Sequence, residues 1–262
     1  MTRPRRERRE NLMFKGFYNL SSAMITHQNN LNVIANNMVN ISTYGFKASR
    51  YTATTFDDVM YHRAGNKYQQ PVEIGRQSYL RAASEIVVDH RQGVPEPTAI
   101  PLDFCIMGDG YFAIEAPDGN IAYTRTGNFS LDTEGYLWLQ DIGRVLDREG
   151  APIFLGTDKV VSDEDGTIRF ETTGETMATL GVDAFEDTAA LELNERGLFT
   201  GDGAALVEAP HVLGGYLERS NSDMVKQMTE MITFQRALQS AATVTKIYDQ
   251  VMNRSTTEIG RM

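Results

Sequence analysis

Apolar side chains recur with a heptad-like spacing near the N-terminus of the chain. Over residues 14–41 the steps alternate between four and three residues, and His27 occupies the only polar step. Such spacing places the apolar positions on one face of a helix. Asn40, Ser42 and Gly45 then favour a helix end. The apolar positions of this stripe are Leu20, Met24, Leu31, Ile34, Met38 and Ile41.

A second stripe of the same kind lies near the C-terminus, where Thr245 interrupts it. Ser220 and Asp223 stand at capping-box spacing before it and predict the start of a helix. Gly260 provides a plausible end. The apolar positions are Met228, Met231, Phe234, Leu238, Ala241, Tyr248 and Met252.

Helix-breaking residues are concentrated between the two stripes. Seven of the eight prolines and 18 of the 22 glycines lie in residues 71–215, and residues 216–259 contain neither. Short β-prone runs alternate there with turn pairs, which predicts antiparallel hairpins. The fold class is therefore predicted as α+β, with long terminal helices in a coiled-coil-like inner domain and an internal antiparallel β-rich domain. The turn pairs are Asp118-Gly119, Glu134-Gly135, Glu149-Gly150, Asp165-Gly166, Arg196-Gly197 and Asp202-Gly203.

Five segments follow from these patterns. Five arginines crowd residues 1–12, which have no apolar period, so Met13 is a candidate for the native start. Peptides from before Met13 in mass spectra of the native protein would contradict that interpretation. The segments are residues 1–12, a disordered basic extension or mis-assigned start; 13–50, the N-terminal helix of the inner domain; 51–93, an extended linker or hairpin region; 94–217, a β-rich outer domain; and 218–262, the C-terminal helix of the inner domain.

Composition narrows the class of protein. The chain has 262 residues, 41% of them apolar, which is ordinary for a protein with a packed core. Its net charge of -10 argues against a nucleic-acid partner, because such proteins usually present a basic face. No stretch approaches the roughly 20 apolar residues that span a bilayer, so we expect no membrane insertion. No secretory signal follows the basic start.

Catalytic and metal-binding patterns are missing from the sequence. The four histidines, His27, His62, His90 and His211, are scattered without metal-ligand spacing. Asp163-x-Asp165-Gly166 lacks the remaining ligands of a calcium loop and favours a β-turn. We therefore expect no enzyme activity, no cofactor and no metal.

The asparagines Asn36, Asn37 and Asn40 end the first predicted helix at a cost in helix propensity. Simple capping would explain them. Three poor helix formers are more than a stop requires, however, which suggests side-chain hydrogen bonds to another chain.

Several segments together resemble the flagellar basal-body rod and hook family. The asparagine run ending in Gly45-Phe46-Lys47 resembles the family's N-terminal signature, and residues 101–112 resemble the opening of its β domain. The match continues in two short segments, Tyr123-Thr124-Arg125 and Gly127-Asn128-Phe129. The start of the C-terminal helix, Ser220-Asn221-Ser222-Asp223-Met224-Val225, resembles the C-terminal signature.

The resemblance implies a structural subunit that polymerises helically through its terminal helices, with the β domain outside. Its partners would be further copies of the chain, neighbouring rod or hook subunits and the flagellar type III export apparatus. Export through that apparatus, without a cleaved signal, would bring the chain to the basal body. Phe56 and Met60 resemble an export motif. The implied interface residues are Leu20, Met24, Leu31, Ile34, Asn36, Asn37, Met38, Asn40, Met228, Met231, Phe234, Leu238 and Tyr248.

Two alternatives stay open at this point. The length and single β insert resemble a rod protein, distal or proximal, more than a hook subunit. A different class, a hydrolase or glycan-binding module on a helical stalk, would require a pocket joining Trp138 and Tyr136 to carboxylates such as Asp132 or Glu134.

Overall fold

The computed structural model describes residues 5–55, 59–63, 72–77, 81–116, 119–194 and 196–259. Side chains are described over residues 16–52, 85–116, 119–194 and 196–258. The fold is α+β, with one long helix near each end and antiparallel strands between them, as the sequence predicted.

The helices are α1 (Arg5–Val39) and α2 (Met224–Ile259), and short 3-10 helices occupy Asn40–Ser42 and Thr188–Ala190. The strands of the described chain are β1 (Ser49–Thr55), β2 (Val59–Arg63), β3 (Val72–Gln77), β4 (Arg81–Val88), β5 (Pro95–Pro97), β6 (Phe104–Met107), β7 (Tyr111–Glu115), β8 (Ile121–Thr124), β9 (Ser130–Leu131), β10 (Leu137–Leu139), β11 (Gly143–Val145), β12 (Val160–Ser162), β13 (Thr167–Phe170), β14 (Thr176–Thr179), β15 (Val182–Ala184), β16 (Glu192–Leu193), β17 (Phe199–Thr200), β18 (Ala205–Leu206), β19 (His211–Gly214) and β20 (Tyr216–Glu218).

The chain divides into two compact units. The terminal unit comprises the described parts of Met1–Asn37, Ser49–Val87 and Met224–Met262. It contains most of α1, all of α2 and two two-stranded sheets, β1 with β4 and β2 with β3. The β unit comprises Met38–Ala48 and Val88–Asp223.

The β unit is built around one large sheet. Its main path runs β16-β17-β8-β7-β11-β10-β9, and β15 joins β7 to β18 beside that path. A three-stranded sheet, β12-β13-β14, and the pairs β6 with β19 and β5 with β20 complete the unit. These strand pairings are antiparallel, in agreement with the hairpins that the turn pairs predicted.

Strand β7 separates two apolar clusters. Phe112 and Ile114 belong to the larger cluster, whereas Tyr111 and Ala113 belong to the smaller one. Successive side chains of a strand point to opposite faces, so a strand with a cluster on each side is apolar at every position. The first four residues of β7 are accordingly buried.

Described helix or strand lies within two of the predicted segments. Helix α1 begins at Arg5, within the stretch predicted as a disordered extension or a mis-assigned start; arginine and glutamate are good helix formers even without an apolar period. The use of Met13 as the native start stays a prediction. Residues 51–93, predicted as an extended linker or hairpin region, contain the strands β2, β3 and β4 and most of β1.

Candidate functional site

One face of α2 is shielded within the terminal unit. Its buried and half-buried positions include a series with four-three spacing: Gln227, Met231, Phe234, Leu238, Ala241, Thr245, Tyr248 and Met252. The stripe thus passes through Gln227, which is 7% exposed, and Met228 is 46% exposed. Because the sequence started the stripe at the nearest apolar residue, its placement of Met228 on this face is wrong.

Side chains of α1 meet this face of α2. The Thr245 hydroxyl lies 3.8 Å from the Met24 sulfur, and the His27 and Phe234 rings lie 5.8 Å apart. Ile34 is buried, while Leu20, Leu31 and Met38 of the predicted stripe are half-buried. His27 therefore occupies its heptad step as the spacing indicated.

Apolar side chains on the two flanks of this shielded face are exposed to solvent. At 3.6 residues per turn, Met228 and Ile232 lie on one flank, and Val244, Ile247 and Val251 lie on the other. Between 46% and 55% of each side chain is accessible. We call this set the outer stripe: Met228, Ile232, Val244, Ile247 and Val251.

The three asparagines at the end of α1 have different environments. Asn37 is 2% exposed; its amide donates to the Ser49 carbonyl at 2.7 Å and its side-chain oxygen accepts from the Ser49 amide at 2.9 Å. These hydrogen bonds join α1 to β1 within one chain, whereas the sequence analysis predicted that Asn37 contacts another subunit. Asn36 is exposed and Asn40 is half-buried.

A buried ionic cluster lies where the asparagine-run segment enters the β unit. The Lys47 ammonium lies 2.6 Å from one Glu218 carboxylate oxygen, and the Arg125 guanidinium lies 3.4 Å from the other. All three side chains are at most 3% exposed. Two cations thus share one carboxylate away from water.

Backbone groups complete the coordination of the cluster. Lys47 donates to the Arg91 carbonyl at 2.9 Å, and the Gly93 amide donates to Glu218 at 2.7 Å. Arg125 donates to the Gly108 carbonyl at 2.6 Å and lies over the Tyr111 ring. Burial lowers the pKa of Lys47, and the opposing attraction of Glu218 does not cancel that effect.

Glycine is required beside this cluster. Gly45 has φ +70, and a Cβ atom there would overlap the backbone nitrogen of Thr126. Its amide donates to the Glu218 carbonyl at 2.7 Å, and the Thr126 hydroxyl donates to the Tyr44 carbonyl at 3.1 Å. The Gly-Phe-Lys motif is thereby held directly against the β unit.

His90 adjoins the same cluster. Its Nδ1 lies 2.6 Å from the Tyr111 hydroxyl, and its ring lies 5.3 Å from that of Phe199. Burial lowers the pKa of His90. The positive charges of Lys47 and Arg125 lower this pKa further, whereas the negative charge of Asp89 raises it. Burial also raises the pKa of Tyr111 to about 12.

The residues proposed for a hydrolase or glycan pocket are arranged differently. Asp132 and Glu134 both accept from Arg144, at 2.9 and 2.6 Å, and that guanidinium lies 4.1 Å from the Tyr136 ring centroid. The hydrogen bond from Arg144 lowers the pKa of Asp132, whereas a general acid needs a raised one. An open cavity of about 550 Å³ lies elsewhere on the β unit, lined by residues that include Asn120, Glu192, Thr200 and Asp202, and not by Trp138 or Tyr136.

Comparison with known proteins identifies the family. Three family models match consecutive parts of the chain: "Flagella basal body rod protein" over residues 17–47, "Flagellar hook protein FlgE/F/G D1 domain" over 105–176 and "Flagellar basal body rod FlgEFG protein C-terminal" over 213–258. The flagellar basal-body rod protein FlgG of Bacillus subtilis is 32% identical over 260 residues, covering 92% of this chain and 97% of the relative. The FlgG protein of Caulobacter vibrioides is 31% identical over 253 residues, covering 88% and 94%. The chain belongs to the flagellar basal-body rod protein family.

The resemblance seen in the motifs is thus confirmed, and the rod protein is a structural subunit of the flagellar basal body. The rod protein FlgF of Rhizobium meliloti is a further relative, 28% identical over 261 residues and matching 95% of this chain and 99% of its own. The relatives are named as rod proteins, a structural class. Rod proteins assemble with other rod and hook subunits.

The described part of the rod protein contains no cluster of three or more histidine, cysteine or carboxylate side chains placed to hold a metal. Within the same residues, neither helix is long and apolar enough to cross a membrane. Of the export-motif candidates, Phe56 and the Met60 side chain lie outside the described residues.

Sequence reasoning missed the ionic cluster of the rod protein, although it used the surrounding motifs. Lys47 ends the Gly-Phe-Lys signature, Arg125 lies in the Tyr-Thr-Arg segment, and Glu218 lies two positions before the Ser-Asn-Ser-Asp segment. A charged residue in or beside each of three separate signatures was the available signal.

Proposed function

We propose that this rod protein polymerises helically through its terminal helices and that the β unit forms the outer part of the assembly. The observation that carries the proposal is the outer stripe of α2. An amphipathic helix of a monomer needs one apolar face, and the shielded face of α2 already meets α1. The outer stripe leaves further apolar side chains exposed, and Val244, Ile247 and Val251 follow one another at steps of three and four residues on one flank. Such exposed apolar surface favours contacts between subunits.

The same proposal includes a coiled-coil-like inner domain. The shielded positions of α2 keep a spacing of four and three from Gln227 to Met252, which is the spacing of a coiled-coil seam. We accordingly retain an inner domain made of residues 13–50 and 218–262 and an outer domain of residues 94–217. Residues 51–93 would link them.

Charge placed on the outer stripe tests the assembly. The Ile247→Lys variant should fold, because the side chain is 55% exposed and surface substitutions usually change stability by about 0.5 kcal/mol or less. It should nevertheless abolish rod assembly and motility, since a buried unpaired charge at a subunit contact is costly. Motility in soft agar and electron micrographs of basal bodies provide the readout.

The matched control is Asn253→Lys, which adds the same charge at an exposed position outside the stripe on the same helix. It should assemble normally. Wild-type motility of Ile247→Lys, with the variant incorporated into rods, would exclude the outer stripe as a subunit contact.

The location at the basal body implies that the chain leaves the cytoplasm, and we propose export through the flagellar type III apparatus. Phe56 and Met60 remain the candidate recognition motif. Phe56→Ala should reduce the exported fraction severalfold without changing the total cellular amount, and Asp57→Ala serves as the control. Equal export of the two variants would rule out this motif.

A further inference from the structure

We infer that Lys47, Arg125 and Glu218 form a clamp whose role is to position the segments that adjoin the two terminal helices for assembly. This inference rests on the proposed assembly through those helices. The side chains are separated in sequence by up to 171 residues and converge on one carboxylate. They are positioning residues, because none of them belongs to the outer stripe.

The clamp joins four stretches of chain within the β unit. The segment that follows α1 binds Glu218, in the segment that precedes α2, at two points: the Lys47 ammonium binds its carboxylate, and the Gly45 amide donates to its main-chain carbonyl. Gly93 belongs to the connection that precedes β5, and Arg125 directly follows β8. Both residues bind the Glu218 carboxylate. A single carboxylate therefore fixes the chain both where it enters and where it leaves the β unit.

Asn221 strengthens the same junction. Its side-chain oxygen accepts from the Ala48 amide at 2.8 Å, and its side-chain nitrogen donates to the carbonyls of Asp89 at 2.7 Å and Arg91 at 3.0 Å. The Asp89 amide in turn donates to the Ala48 carbonyl at 2.8 Å. The residues just before α2 are thus bound to those just after α1 by side-chain and main-chain hydrogen bonds.

Stability alone is a poor explanation of this arrangement. Burying three charges carries a desolvation penalty that hydrophobic packing would avoid, so a buried ion cluster is weak evidence for a net gain in stability. A cluster that is costly to bury and that joins both helix-adjoining segments is suited to fixing their path.

Glu218→Gln tests the clamp in the full-length protein. The substitution keeps the shape and one acceptor oxygen but leaves Lys47 and Arg125 without their counter-charge. Hydrogen exchange at the Gly45, Ala48 and Gly93 amides should become about tenfold faster or more, while the β7–β8 ladder changes by less than about twofold. Rod assembly and motility should be lost.

The control is Glu134→Gln, the same chemical change in an exposed ion pair with Arg144. It should leave both exchange and motility at wild-type values. If Glu218→Gln does not fold, Asn221→Ala provides a second test without a change of charge, because it removes three of the hydrogen bonds. Its Ala48 amide should exchange faster and assembly should fall.

Three outcomes would overturn the clamp: unchanged exchange at the three amides, equal acceleration throughout the β unit, or loosened segments with wild-type assembly. The Ile247→Lys variant distinguishes this failure from failure of the assembly proposal. If Ile247→Lys assembles normally while Glu218→Gln loosens the segments and does not assemble, the outer stripe is wrong and the clamp stands. The reverse pattern removes the clamp and keeps the stripe.

Discussion

The buried charged residues of this protein are as informative as its apolar ones. Lys47, Arg125 and Glu218 are almost fully buried, and removing one partner of such a cluster typically costs about 3–5 kcal/mol because it leaves a charge uncompensated. Each cation also satisfies a backbone carbonyl. Conservative changes at these positions are therefore expected to be more damaging than similar changes at exposed ion pairs.

His90 makes the stability of the β unit dependent on pH. Its pKa in the folded protein is below the ordinary value of 6.5, so the unfolded chain binds the proton more tightly. Stability contributed by neutral His90 is full above about pH 6.5 and is lost as the pH falls towards the lowered folded pKa. Protonation would place a third cation beside Lys47 and Arg125.

Denaturant unfolding between about pH 5.5 and pH 7.5 measures this dependence. His90→Gln should unfold with a weaker loss of stability on acidification than the wild type, because it removes the titrating group. His211→Gln, at an exposed position of β19, should keep the wild-type dependence. Parallel curves for the wild type and His90→Gln would contradict the assignment.

At the scale of secondary-structure elements, the sequence pattern predicted the features that depend on residues close together in the chain. The four-three spacing and the concentration of glycine and proline predicted both helices and the hairpins between them. The spacing could not decide between Gln227 and Met228, since an apolar residue one position away from the true stripe fits almost as well. Tertiary packing against α1, which no local window contains, makes that choice.

The remaining errors concern contacts between distant residues. The asparagine run signalled unusual hydrogen bonding, but whether Asn37 bonds to another chain or to Ser49 depends on the path of the chain after α1. The Lys47–Glu218 contact joins residues 171 positions apart and leaves no periodic trace in the sequence. Only the placement of single charges in or beside three motifs hinted at it.

At the scale of the whole molecule, burial is distributed unevenly. Among residues whose side chains the structure describes, Ile34 is the only fully buried apolar residue of the terminal unit, whereas both apolar clusters belong to the β unit. A helix that cannot bury its apolar surface is marginal in water. The two units should therefore differ in stability before assembly.

Hydrogen exchange on dilute full-length protein tests that difference. Amides in the middle of α2 should exchange at least about tenfold faster than those of the β7–β8 ladder, because local opening of a poorly buried helix costs less than opening the sheet. Assembled rods provide the comparison, and there the helix amides should become as protected as the sheet. Equal protection of α2 and the β7–β8 ladder in the dilute monomer would show that α2 is stabilised without neighbours, and it would remove the physical reason for assigning polymerisation to its outer stripe.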